Sequence, residues 1–359
     1  MFIITGDVHC PIDIVKLNNA MLPNTTYTKD DYLIITGDAG FVWNGSNEEK
    51  YWQNWIKEKS FTTLFVDGNH ENFDILNSLP VEIWNGGKVH KVNDSLIHLM
   101  RGQVFTIHGK KFFTMGGAPS HDIQDGVLDP KAKGFRQKKR ELDKRNAFYR
   151  ILHHDWWPEE MPSQEEYDEG IQNLAAHNNK VDYILTHEAP FSLVGRITRT
   201  IRTIPISNPL SLYLDRIQST VKYQHWYFGH YHNNWRLDEH HTLLFNNKAF
   251  IPTNGDVIYE IVDIIDKDSL STRKDQRYPL MIGCKVTNVR YLKGRELVFE
   301  YITASDGTRN IGKQYEKDVE AADLSELSSN NIMKITTSDS IFIFKKIIHQ
   351  EETNESKQI

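Results

Sequence analysis

Five short apolar runs in this chain each stop at a glycine or threonine followed by an aspartate, asparagine or histidine, and no other feature constrains the fold as much. Phe2-Ile3-Ile4 leads into Thr5-Gly6-Asp7-Val8-His9, Tyr32-Leu33-Ile34-Ile35 into Thr36-Gly37-Asp38, and Thr63-Leu64-Phe65-Val66 into Asp67-Gly68-Asn69-His70-Glu71. Farther along, Val181-Asp182-Tyr183-Ile184-Leu185 leads into Thr186-His187, and Trp226-Tyr227-Phe228 into Gly229-His230-Tyr231-His232. Runs this short, β-branched and aromatic with turn residues behind them, read as buried strands. Between them, Ser46 to Glu49 forms a capping-box pattern ahead of Trp52, Trp55 and Ile56, and Ser163 to Glu166 repeats it ahead of Tyr167, Ile171 and Leu174. Alternating strands and helices predict an α/β layered domain whose ligand sites form beyond the carboxyl ends of the strands, where all five polar clusters fall.

At 359 residues the chain suits one large domain with a smaller appendage. In its middle, Ile97 to Met100 and Val104 to Ile107 predict an antiparallel element, continued by Lys111 to Met115 after a His108-Gly109-Lys110 turn. Thr242 to Phe245 and Val257 to Val262 predict late strands, which makes the sheet system mixed. The polar segment from Asp263 to Arg277 is read as a boundary, dividing a large domain at 1–263, which holds all five polar clusters, from a small β-rich domain at 278–350. In the latter, Leu280 to Val286, Arg290 to Leu292, Leu297 to Thr303 and Ile341 to Ile348 read as strands.

Composition excludes little. The chain is 39% hydrophobic and 25% charged, and its net charge of -6 offers no global attraction to polyanions. Its only cysteines, Cys10 and Cys284, are too few for a disulfide scaffold and fit a reducing compartment. No signal peptide is expected, because strand residues start at Phe2, and no apolar run approaches the ~20 residues that span a bilayer. A cytoplasmic location without membrane attachment follows as the expectation.

Sixteen histidines direct attention to metal ligation. Asp7, His9, Asp38, Asn69, His187, His230 and His232 are numerous enough for two ions. Imidazole nitrogen mixed with carboxylate and amide oxygen points away from calcium or a lone magnesium. A carboxylate central to the set can bridge two ions ~3.5–4 Å apart, acidifying a shared water and neutralising phosphoryl oxygens as negative charge builds. Gly6, Gly37, Gly68 and Gly229 would let the backbone turn sharply or approach closely.

The ordered motifs Asp7-Val8-His9, Gly37-Asp38, Gly68-Asn69-His70-Glu71, Thr186-His187 and Gly229-His230-Tyr231-His232 resemble the calcineurin-like metallophosphoesterases across about residues 1 to 262. The resemblance implies a four-layer αββα sandwich of two mixed sheets flanked by helices. It also implies one divalent metal on Asp7, His9, Asp38 and His232 and a second on Asp38, Asn69, His187 and His230, with Asp38 shared. Manganese is the expected metal, with iron or zinc as substitutes. His70, outside that set, takes the family role of contacting the phosphate and protonating the leaving oxygen, work that suits the intrinsic pKa of histidine. Glu71 is expected either to orient His70 or to be solvated. The implied reaction is hydrolysis of a phosphate mono- or diester by in-line attack of a metal-bridging hydroxide. The match departs from the phosphoprotein-phosphatase branch and its dinucleotide-hydrolase relatives. Cys10 follows His9 here, and Ala39-Gly40-Phe41-Val42-Trp43 follows Asp38, without that branch's arginine. The chain looks closer to bacterial or prophage-type members of the wider family.

Two basic stretches bear on the substrate, which is read as a phosphorylated small molecule, a nucleotide or a nucleic acid. Residues 131–150 carry nine lysines and arginines against Glu141 and Asp143, a run that either grips a polyanion or forms a solvated helix face partly neutralised by the acidic segment Asp155 to Glu169. Arg196, Arg199 and Arg202 are placed in a loop after His187, where a guanidinium could reach a second phosphate. His121 and Asp122, after the Gly116-Gly117-Ala118 turn, could line the cleft outside the ligand set, and Cys10 is assigned to packing. Two rival functions remain: a nuclease or nucleotide phosphodiesterase, and a non-catalytic protein-binding scaffold on the same fold.

Overall fold

The structure is a computed structural model that describes residues 1–201, 206–275, 277–308 and 310–350. Its chain falls into two compact units, Ile4–Asn246 and, together, Met1–Ile3 with the chain from Asn247 onward. No described helix is long and apolar enough to cross a membrane.

The larger unit is built on two mixed sheets. The first contains β1 (Phe2–Thr5), β2 (Tyr32–Thr36), β3 (Thr62–Val66), β4 (Val81–Trp84), β5 (Gly87–Asn93) and β6 (Leu96–Leu99), in the order β1-β2-β3-β6-β5-β4. β2, β3 and β6 run parallel, whereas β4, β5 and β6 form an antiparallel edge. The second contains β7 (Gln103–Ile107) and β8 (Lys110–Met115), then, beyond a short parallel pair formed by β9 (Val127–Leu128) and β10 (Arg150–Ile151), the strands β11 (Tyr183–Thr186), β12 (His225–Phe228), β13 (Trp235–Arg236) and β14 (His241–Leu243). Its inner strands β8, β11, β12 and β14 are parallel. β1, β3, β11 and β12 are buried along their whole length, as expected of strands covered on both faces.

Helix α1 (Asn47–Lys57) packs on β3, β5 and β6, outside the first sheet. The second sheet is covered by α4 (Gln164–Ala176), α5 (Phe191–Ile201) and α6 (Pro209–Thr220), whose Leu174, Leu193, Val194, Ile197, Leu210 and Leu214 share a core with Phe113, Ile184, Trp226 and Phe228. Two sheets between helical layers make the four-layer sandwich. Two further helices, α2 (Phe73–Leu76) and α3 (Phe135–Lys144), sit on connections. Both capping serines act as expected: Ser163 and Glu166 form the reciprocal box, and Ser46 accepts from the Glu49 N–H at 3.1 Å. The Glu49 carboxylate turns instead to the preceding loop, taking the N–H groups of Trp43, Asn44 and Gly45.

One sequence expectation needs correction here. Ile97 to Met100 and Val104 to Ile107 are not partners, because β6 pairs with β3 and β5 in the first sheet, and β7 pairs with β8 in the second. The chain crosses between sheets at Arg101-Gly102, where Gly102 has φ +69° and a Cβ would stand 2.8 Å from the Glu166 carbonyl oxygen. The strand that does pair with β5 on its outer side is β4, through a turn at Asn85 and Gly86, both at positive φ, that the sequence reading passed over.

The smaller unit holds β15 (Ala249–Ile251) and an antiparallel sheet of β16 (Val257–Asp266), β17 (Lys285–Tyr291), β18 (Glu296–Thr303), β19 (Lys313–Lys317), β20 (Ala321–Asp323), β21 (Ile332–Thr336) and β22 (Ser340–Ile348), ordered β19-β18-β17-β16-β22-β21-β20. Its core gathers Ile261, Ile264, Val286, Phe299, Phe342 and Phe344, with Tyr278 and Met281 from the short helix α7 (Tyr278–Met281). That helix occupies the start of the segment read as a strand from Leu280. β16 pairs with β22 from Val257 to Asp266, so the compact division falls at Asn247, upstream of the segment 263–277 read as the boundary.

The crossing between sheets depends on a buried ion pair. Arg101 donates to Asp67 Oδ2 from Nε at 2.9 Å and from Nη2 at 2.6 Å, and His98 Nε2 lies 3.0 Å from Oδ1. Burial pushes the Asp67 carboxyl up, but Arg101 and His98 outweigh it and hold it well below the ordinary range. Arg101→Met leaves this carboxylate short of its main partner and is expected to lower unfolding free energy by about 3–5 kcal/mol at pH 7, read by urea denaturation. A carboxyl depressed on folding stabilises above its unfolded value near ~4 and loses that contribution as pH falls through its folded value, so wild type and variant should converge at lower pH.

Candidate metal centre

Five loops converge at the carboxyl ends of β1, β2, β3, β11 and β12. Val8 and His9 donate their N–H groups to the Asp38 carbonyl at 2.9 and 2.8 Å, stitching the first loop to the second. The carboxylates take part as well: Asp38 Oδ1 accepts the His70 N–H at 2.8 Å, and Asp7 Oδ1 accepts the His230 N–H at 3.0 Å. His9, Asp38, His230 and His232 all adopt positive φ, at 40°, 50°, 71° and 45°. Such a conformation costs energy in a residue with a Cβ, and four instances in one place mark a site where side-chain direction overrides backbone preference. Gly37 (φ +93°) and Gly68 are there for room, since a Cβ would stand 2.0 Å from His187 Nδ1 at the former and 2.0 Å from Asp38 Oδ1 at the latter.

Six of the seven residues singled out as metal ligands lie against one another, and the seventh, Asn69, is buried with its side-chain contact to Ser120. Asp7, His9, Asp38 and His232 offer one ligand atom each, all within 4.8 Å of one another. On the other side of Asp38, His187 Nε2 lies 3.3 Å from Asp38 Oδ2. The same oxygen is 3.2 Å from His9 Nε2, so it touches both halves of the cluster. The rings of His187 and His230 meet edge to face with centroids 5.0 Å apart, and His232 stacks on Phe245 at 4.8 Å.

Two buried atoms test whether the set fits a cation. His187 donates from Nδ1 to the Thr36 carbonyl at 2.8 Å, which leaves Nε2 as the nitrogen a cation could take in place of a proton, and Nε2 has no aligned hydrogen-bond partner. Asn69 uses its Nδ2 on Ser120 Oγ at 3.4 Å, and its Oδ1 is likewise unpartnered and buried. An orphaned acceptor inside a protein is costly unless something electropositive meets it. The His187 nitrogen beside the Asp7 and Asp38 carboxylates forms a donor set that a divalent transition metal fits.

A family model described as calcineurin-like phosphoesterase matches residues 1–234. The chain belongs to the calcineurin-like phosphoesterase family. No curated protein matches it. Membership supports a metal-dependent phosphoesterase in general, in a family that typically binds divalent metals, and Asp7, His9, Asp38 and His232 form a cluster that could hold one.

Several neighbours of the calcineurin-like centre escaped the sequence reading. Buried Lys16 donates to the carbonyls of Gly6, Asp7 and Phe245, pinning the first loop, and burial lowers its pKa to about 8. Ser120 hands its hydroxyl to Glu160 Oε2 at 2.6 Å while receiving the Asn69 amide, so this pair sets which way Asn69 points. His121, by contrast, could be read as lining the cleft, and its Nε2 lies 2.7 Å from His230 Nε2. None of these stands at a strand end, so periodicity carried no signal for them. Glu71 is corrected. It is neither solvated nor seen to contact His70 but is fully buried, accepting the Ala39 N–H at 2.8 Å and bracing the Asp38 loop, with its carboxyl pushed well up by burial and by the Asp38 charge.

The arginines placed in a loop after His187 need correction too. Leu193, Val194 and Ile197 at helical spacing bury against the second sheet, so the segment is helix α5. Arg196 on it donates to the Leu237 carbonyl and pairs with Asp238 at 3.6 Å, while Arg199 is exposed. Arg202 lies outside the described residues. Cys10 is no nucleophile, since burial and the charges of Glu48, Glu49 and Glu71 push its thiol up to about 12.

Protons balance charge among these side chains. Burial works against a charged His187, but Asp38 and then Asp7 outweigh it and raise the imidazole to about 10. Burial pushes the Asp7 carboxyl up to about 6 against the pull of His187. A cation seeking His187 Nε2 must therefore displace a proton that is held throughout the neutral range. Metal affinity should rise by about tenfold per pH unit for each proton released. Titration calorimetry of metal uptake in buffers of different ionisation enthalpy should show at least one proton released at pH 7; buffer-independent heats would contradict it.

Proposed function

We propose that this chain hydrolyses a phosphate mono- or diester at a two-metal centre. One cation is held by Asp7, His9, Asp38 and His232 and the other by Asp38, Asn69, His187 and His230, with Asp38 shared. The observation that carries this reading is Asp38 Oδ2, which sits 3.2 Å from His9 Nε2 and 3.3 Å from His187 Nε2 and so faces both ligand groups. Manganese, iron and zinc all accept such mixed nitrogen and oxygen donors, and supply decides among them. When bound, the ions supply acidification of a water and neutralisation of the phosphoryl oxygens, which favours in-line attack.

The chain's own residues do the rest. The loops bury the two aspartates and His187 away from bulk water, where fixed charges act most strongly on a developing charge. Asp38 Oδ1 holds the His70 N–H, which ties the position of that imidazole to the bridging carboxylate, and the ring packs edge-on against His9 with centroids 5.4 Å apart. Burial lowers the pKa of His70 in the free protein, with Arg150, His9 and His187 acting in the same sense against Asp38. His70 is therefore neutral at pH 7 until a substrate phosphate brings negative charge beside it. Protonated in that complex, it donates from its ring to the departing oxygen.

Asp38→Asn is expected to lower bound metal, read by elemental analysis, and with it hydrolysis of 4-nitrophenyl esters by at least about a hundredfold. His70→Ala should keep its metal yet lose about 10²–10⁴ in kcat on alkyl esters, and far less on 4-nitrophenyl esters, whose leaving group needs no proton. Full activity in metal-replete Asp38→Asn would remove the bridging role.

A further inference from the structure

The segment from His121 to Arg150 leaves the metal centre and returns to it. At its start His121 meets His230 at 2.7 Å. At its end the Arg150 guanidinium grips Asp122 with two parallel bonds, Nε to Oδ1 at 2.7 Å and Nη2 to Oδ2 at 2.8 Å, and its charge bears on His70. The parallel pairing of β9 and β10 closes the stem.

What this lobe displays is a strongly cationic surface. Leu142 is the only buried residue of α3. Arg136, Lys138, Arg140 and Lys144 on the helix, with Lys131 and Lys133 ahead of it, are exposed and have no acidic partner among the described residues, while Lys139 pairs with Asp143 and Arg145 with Asp125. Among the described residues, the acidic segment that follows forms no ion pair with them. Glu160 is engaged by Ser120, Glu166 by Arg101 and Glu169 by Lys88. A cluster of like charges left unpaired, in a chain of net charge -6, is unfavourable in isolation and favours a polyanion.

Distance ties this surface to the centre. Arg145, just past the helix, holds Asp125 at 2.7 Å, and Asp125 is three residues from Asp122, which spans at most about 11 Å of chain. Between the helix and Arg150 stands Phe148, 62% exposed, its N–H fixed on Asp125 Oδ2 at 2.9 Å. A large exposed ring on an anchored backbone, flanked by cations, offers a stacking face to an unpaired base while the cations take the phosphates. A duplex hides that face of its bases.

We propose that α3 and Phe148 dock single-stranded nucleic acid and lead one of its phosphodiesters into the metal centre, an assignment of substrate class that rests on the hydrolytic reading above. In the step itself water adds to phosphorus, the bond from phosphorus to one sugar oxygen breaks, and that oxygen takes a proton, leaving one phosphomonoester end and one hydroxyl end.

The test compares wild type, the charge-reversed Lys138→Glu/Arg140→Glu/Lys144→Glu protein and Phe148→Ala, all manganese-loaded. Each is assayed for binding to a fluorescein-labelled oligothymidylate across salt concentrations, cleavage of that oligonucleotide, and hydrolysis of bis(4-nitrophenyl) phosphate. Charge reversal should weaken oligonucleotide binding by at least about tenfold and flatten its salt dependence by about one unit of slope for each phosphate no longer neutralised. Phe148→Ala should weaken it about fivefold or more with the slope kept. Both variants should hydrolyse the small diester at the wild-type rate. If wild type hydrolyses the small diester but charge reversal leaves oligonucleotide binding and cleavage unchanged, the docking surface is overturned and the hydrolytic reading survives. If binding behaves as expected but neither ester is cleaved, the hydrolytic reading fails and the surface is no substrate guide. Equal affinity for a duplex, with indifference to Phe148→Ala, would overturn the single-strand assignment.

Discussion

Two carboxylates sharing one water-poor space, Asp7 and Asp38, are the constraint around which the larger unit is organised. Neither has appreciable exposure, and burying one anion, let alone two, is prohibitively unfavourable without compensation. The surroundings supply it in graded form. Imidazoles of His9 and His187 lie within about hydrogen-bonding distance of Asp38, N–H groups of His70 and His230 point at the two carboxylates, and the Lys16 ammonium anchors the first loop from below. Positive φ at four of the surrounding residues is tolerable for the same reason: strain at His9, Asp38, His230 and His232 is offset by aiming their side chains or amides at charge.

The same demand shapes the scaffold behind the loops. Strands buried on both faces can present their carboxyl ends to one point only if the sheets are held in register, and the Asp67, Arg101 and His98 network does this where the chain passes between them. Asp67 follows the end of β3, two residues ahead of Asn69. The ion pair that locks the crossover therefore also sets where an orphaned amide oxygen sits. On the far side, the Ser120 and Glu160 pair performs the complementary task, engaging the amide nitrogen of Asn69 and leaving its oxygen free of a partner.

Most of the centre was legible because strand-end chemistry is local. An apolar run that must stop, a glycine where a Cβ would collide, and a ligand-type side chain immediately after it form a pattern readable without knowing what lies opposite. The residues that went unread work at a distance. Lys16 reaches Phe245 across more than two hundred positions of chain, and Ser120 meets Asn69 across 51. The misreadings have the same origin. Glu71 is polar and looked solvated, yet it is buried because a loop closes over it, and β6 resembled the partner of β7 because adjacency in sequence was taken for adjacency in space.

By itself, the sequence determined the strand runs, the turns behind them and seven ligand-type side chains in order, since backbone periodicity and turn chemistry act over a few residues; the sandwich followed from the resemblance those ordered motifs carry. Only the tertiary structure decided that Asp38 faces both histidine groups, that Ser120 takes the amide nitrogen of Asn69, and that a basic lobe begins and ends beside His70. Those outcomes depend on which buried polar atom finds which partner, and partner choice in a packed interior is settled by contacts between segments far apart in the chain.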